Sequence, residues 1–125
     1  MFIKLCLVIG GSAGCGGVAL GALVAHAFKT RLEPAALTTL GTVSQYLLIH
    51  GLLLIVIGAW LRLQPDTLAL RIAAGLIMAG VFCFCGGLSV SILGGLRAAG
   101  SVAPLGGTAL MAGWLVLAWI GLVRS

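Results

Sequence analysis

The sequence predicts an all-α membrane protein: one domain, residues 1–125, folded as an antiparallel bundle of four transmembrane helices. Three observations carry that expectation. Charged residues make up 7% of the chain and hydrophobic residues 62%. The mean hydropathy is +1.28. The few charges are spaced so that four long uncharged stretches lie between them. A soluble domain needs about 25% charged residues to present a wet surface. Nine charged side chains, seven basic and two acidic, cannot clothe 125 residues in water.

The stretches are Leu5–Phe28, Ala35–Leu61, Ile72–Leu96 and Ala98–Val123. Each exceeds the ~20 residues that a helix needs to cross ~30 Å of hydrocarbon. Amides in lipid must bond within their own segment, which demands helices. A barrel strand would alternate polar and apolar residues, and these runs do not. The helices are expected at about 5–28, 35–61, 70–94 and 104–123. Pro34 suits the start of the second and Pro104 opens the fourth. Connections this short force antiparallel neighbours. Ala25-His26-Ala27 and Ser12-Ala13-Gly14-Cys15 resemble processing sites, but the apolar run is too long for a signal peptide and reads as helix one.

An even number of crossings puts both termini on one side. That side holds Lys4, Arg62, Arg71 and Arg124, and the other holds Lys29, Arg31 and Arg97. Four against three favours cytoplasmic termini in a bacterial inner (plasma) membrane, with dual topology as the alternative. The net charge of +5 is scattered singly, which suits headgroup contact and excludes a nucleic-acid partner. The partners expected are the lipid bilayer and a homo-oligomer or larger membrane complex.

Twenty glycines need a physical reason. Helices in lipid associate through close backbone approach, which small residues permit. Packing positions are expected at Gly17 and Gly21 in helix one, at Gly75, Ala79, Cys83 and Gly87 in helix three, and at Gly106, Gly107 and Gly113 in helix four. A fourfold spacing overshoots the 3.6-residue turn, so the helix-three row winds around its axis. The four cysteines, Cys6, Cys15, Cys83 and Cys85, all lie in apolar stretches and read as packing residues. Cys83 and Cys85 point to different faces of a helix and cannot grip one metal.

Polar groups are costly in lipid. Helix two carries Thr38, Thr42, Tyr46 and His50 at fourfold spacing with Gln45 beside them, and helix one ends with His26. The candidate intramembrane polar site is therefore His26, Thr42, Gln45, Tyr46 and His50. Glu33 and Asp66 fall in loops, so no embedded carboxylate is available for proton-coupled antiport. Without an orienting acid, the histidines and hydroxyls form no catalytic triad. The sequence yields no catalytic residue, no metal site and no cofactor. A pair of imidazoles, His26 and His50, suits haem iron as an alternative.

Several segments resemble one family. They are Gly21-Ala22-Leu23-Val24-Ala25-His26, Tyr46-Leu47-Leu48-Ile49-His50-Gly51-Leu52, Phe84-Cys85-Gly86, Pro104-Leu105-Gly106-Gly107 and Gly113-Trp114. In order and spacing they resemble the YgdD family of small membrane proteins (domain of unknown function 423), whose eukaryotic relatives are called transmembrane protein 256. The resemblance implies a four-helix inner-membrane protein and no established activity. Family members usually show Gly, Gln, Tyr and often Thr where Val24, Leu47, Ser89 and Ala103 stand here. If the family shares a polar site, His26, Tyr46, His50 and the glycines after Pro104 are what this chain retains of it.

The expectation is thus a non-enzymatic protein that works through helix contacts, as an accessory component. The alternatives are a small channel or carrier lined by the polar face of helix two, and a bis-histidine haem or redox site.

Overall fold

The computed structural model describes residues 1–124. Helix α1 spans Phe2–Ala25 and α2 spans Pro34–Leu63. The third crossing, Leu68–Leu93, consists of α3 (Leu68–Val81), a π-helical turn (Phe82–Gly86) and α4 (Gly87–Leu93). A 3₁₀ turn at Arg97–Val102 leads into α5, Ala103–Arg124, the fourth crossing. All four crossings are long and apolar enough to traverse a bilayer.

The helix ends differ from the sequence expectation for local reasons. α1 starts at Phe2 and takes in the exposed Lys4, whose alkyl stem can lie along the helix while its ammonium reaches water. It stops at Ala25, because His26 leaves helical geometry (φ −122°, ψ −76°) and the Phe28 N–H bonds back to Leu23 O at 2.8 Å. α2 begins at Pro34, where the missing N–H is no loss, and continues past Arg62 to Leu63. In place of an open loop before α5 the chain winds a 3₁₀ turn, reached through Gly95 at φ +71°, a left-handed conformation open to glycine.

Two glycine seams organise the packing. In the first hairpin, a Cβ on Gly10 would sit 2.7 Å from the Gly51 carbonyl, and one on Gly17 would meet Leu48 and the Ser44 carbonyl. Gly58 likewise receives Cys6 and Leu7. The Ser44 hydroxyl donates across the seam to Gly17 O at 2.7 Å. In the second hairpin, Gly80 lies against Leu110 and the Gly106 carbonyl, Gly106 against the Cys83–Phe84 backbone, and Gly113 against Ile77.

The hairpins join where α2 meets the third crossing. Leu40, Val43, Leu54, Ile57, Leu61, Leu70 and Ile77 are fully or almost fully buried there. α1 and α5 make no extensive contact with each other. On the terminal side, the Arg71 guanidinium donates to Pro65 O at 3.1 Å and lies 5.6 Å over the Phe2 ring. There Arg124 also donates to the Gln64 side-chain oxygen.

Candidate functional site

Tyr46 and His50 stand one turn apart on the face of α2 turned toward the second hairpin. The His50 Nδ1 lies 2.9 Å from the Tyr46 carbonyl oxygen. The Trp114 indole Nε1 lies 3.1 Å from His50 Nε2. An indole N–H only donates, so Nε2 accepts. The hydrogen then belongs on Nδ1, which donates to the Tyr46 carbonyl, and this network assigns the tautomer. Both ring nitrogens are satisfied within the chain, and His50 is 5% exposed.

Aromatic packing completes the cluster. The Tyr46 ring stacks on Phe84 (centroids 4.7 Å, planes 19° apart), and Trp114 meets the His50 ring edge-on at 6.0 Å and 72°. Both geometries suit ring quadrupoles. Phe84 belongs to the π turn, whose wider winding changes the angular register of the third crossing in its middle. There the Gly87 N–H is shared between the Cys83 and Phe84 carbonyls. Gly106 has no side chain to hold that turn away from α5. A cavity of about 240 Å³ remains between Tyr46, His50, Phe84, Gly107 and Trp114.

The expected polar row does not stay together. Thr38 is exposed, its hydroxyl donating to Pro34 O, and the partly exposed Thr42 donates in the same way to Thr38 O. Gln45 is exposed on the same outer face. A step of four residues turns a helix about 40° past a full circle, so three steps carry the row about 120° from outside to inside. Tyr46 and His50 therefore face inward, and these five residues line no common path within one chain.

His26 lies apart from the cluster, exposed at the end of α1. Gly10 of α1 is level with Gly51 of α2. His26 is sixteen residues beyond Gly10, which puts it roughly 20 Å from His50 along the bundle. Two imidazoles so far apart cannot share one iron, and His50 Nε2 is already engaged by Trp114. The haem alternative is corrected on both counts.

The small-residue positions divide similarly. Gly17, Gly21, Cys83, Gly87, Gly106 and Gly113 meet neighbouring helices or the 3₁₀ turn, while a Cβ on Gly107 would touch only Phe84, at 3.9 Å. Gly75 and Ala79 are exposed, and a Cβ on Gly75 would meet nothing within 4 Å. Their row has rotated out of the interface by the same 40° drift. Gly51, Gly58 and Gly80 supply contacts that fourfold spacing alone did not single out. Cys83 faces Gly106, whereas the Cys85 thiol lies 3.9 Å from Val43 O.

A second, larger opening of about 450 Å³ lies between α1 and the third crossing, lined by Ile9, Ser12, Leu47, Phe82, Cys85 and Ser89 among others. It is predominantly apolar.

Four apolar crossings around a histidine whose two ring nitrogens are both bonded within the chain define a small polytopic membrane protein. Its sequence places it further. The chain belongs to the family described as "Protein of unknown function (DUF423)", whose model matches residues 20–107. It is 31% identical over 117 residues to a UPF0382 membrane protein of Staphylococcus haemolyticus (strain JCSC1435), covering 92% of this chain and 93% of the relative. A UPF0382 membrane protein of Staphylococcus aureus (strain bovine RF122 / ET3-1) is 28% identical over the same share of each chain. No solved structure matches the chain. Most of the segments that carried the family resemblance converge on one place: Tyr46, His50, Phe84, Gly107 and Trp114 line the same cavity.

Proposed function

We propose that this protein is a non-enzymatic component of the bacterial plasma membrane, with cytoplasmic termini, that acts through contacts between its helices and other membrane chains. The observation that carries the reading is the closed hydrogen bonding of His50. Its two nitrogens are taken by Tyr46 O and Trp114 Nε1, which leaves the best candidate for chemistry no lone pair or proton to offer a substrate. The core histidine fixes α2 against α5, as buried polar groups between transmembrane helices do.

The test combines reconstitution with contact mapping. Purified protein in liposomes should pass neither small ions nor neutral solutes faster than empty vesicles. A photo-cross-linking side chain at an exposed crossing position in living membranes should give discrete adducts rather than lipid attachment alone. Solute flux, or the absence of any protein adduct from every outer face, overturns the proposal.

A further inference from the structure

We infer that the outer face of α2 around Gln45 is the contact surface for a second copy of this chain, paired in parallel about a two-fold axis normal to the membrane. The inference rests on the helix-contact reading and names its partner.

Depth is the first argument. α2 is 30 residues long, about 45 Å, and the hydrocarbon layer is about 30 Å. Centring one on the other leaves about 7–8 Å of helix outside at each end. Gln45 lies eleven residues after Pro34, which puts it about 9 Å inside the apolar layer. A side chain of that length does not reach the headgroups from there.

Hydrogen bonding is the second argument. The threonine and serine hydroxyls on this part of α2 are satisfied by the chain itself. Thr38 donates to Pro34 O, Thr42 to Thr38 O and Ser44 to Gly17 O. Among the described residues none bonds to the Gln45 amide. A carboxamide facing hydrocarbon gains strongly from a partner across a helix interface.

Complementarity is the third. A carboxamide both donates and accepts, so two of them satisfy one another across a two-fold axis. A parallel two-fold is the operation that brings Gln45 to its own copy at equal depth. One turn earlier, a Cβ on Gly41 would meet nothing within 4 Å. That open space leaves room for a second helix. Ile49 and Leu52 continue the face, 52% and 64% exposed.

The experiment uses the full chain in native membranes. With Cys15→Ala removing the exposed native thiol, Gln45→Cys should form a disulfide dimer under a membrane-permeant oxidant. Leu115→Cys on the outer face of α5 should not. Energy transfer between labelled copies diluted in lipid should show Gln45→Leu lowering the dimer fraction about three- to tenfold, with Gln45→Asn retaining most of it. Equal disulfide yield at 45 and 115, or an unchanged dimer fraction in Gln45→Leu, overturns the inference. A photo-cross-linker at 45 that captures only a chain of different mass also overturns it, while leaving the helix-contact reading standing. Solute flux by an intact dimer would overturn that reading and leave the dimer.

Discussion

The indole N–H of Trp114 donates to Nε2 of His50 across 3.1 Å, tying the middle of the fourth crossing to the second. The two residues are 64 positions apart, and their bond locks the tautomer that lets Nδ1 serve the Tyr46 carbonyl.

Trp114→Phe keeps an aromatic ring and removes the donor. It strands Nε2 of a buried histidine, at a cost of about 1–2 kcal/mol. Equilibrium unfolding in lipid or mixed micelles measures it. Trp119→Phe, at an indole 62% exposed, should change stability by no more than about 0.5 kcal/mol.

Gly106→Ala and Gly75→Ala should differ sharply. The new methyl at Gly106 would run into the Phe84 N and the Cys83 backbone, which belong to the π turn and have little room to retreat. Overpacking of this kind costs about 1–3 kcal/mol. At Gly75 it meets open space, and the gain in helix propensity makes the change neutral or stabilising by up to about 1 kcal/mol. Comparing the two variants by thermal unfolding in the same detergent decides the point.

Ser44→Ala removes the hydroxyl that reaches Gly17 O across the first seam. Hydrogen bonds between transmembrane helices average about 0.6 kcal/mol in measured cycles, with a maximum near 1.7. The loss should fall in that range, read by unfolding, and amide exchange should accelerate in α1 around Gly17 before it does in α5.

Thiol labelling should follow burial. Cys15 is exposed, whereas Cys6 and Cys85 are 0% and 3% exposed. In folded micelles a small uncharged thiol reagent should modify Cys15 first. It should reach Cys6 and Cys85 only after denaturation, with mass spectrometry assigning each site.

Much of the architecture was readable because lipid imposes simple demands. Lys29, Arg62 and Arg97 mark breaks between uncharged runs long enough to cross, and Pro34 marks where α2 begins. Gly17, Gly106 and Gly113 stand out as small residues in apolar runs, and each sits in a seam. Facing was harder to read. Thr38 and His50 share a fourfold row but lie about 120° apart, so the row ends on a different neighbour from the one it began on. Gly75 and Gly87 separate in the same way. Nothing local announced the π turn at Phe82–Gly86, because its extra residue is accommodated by contacts with Gly106 and Tyr46 from other crossings. Trp114 could be recognised in a family segment. Its bond to His50 depends on where the second hairpin docks.

Each glycine seam joins crossings that follow one another directly in the chain. This ordering bears on biogenesis. Once Leu63 has emerged from the translocon, α1 and α2 can close as a unit while the rest is still being synthesised, and the second pair can close in its turn. Only the docking of the two finished pairs, and with it the Trp114–His50 bond, must wait for the fourth crossing.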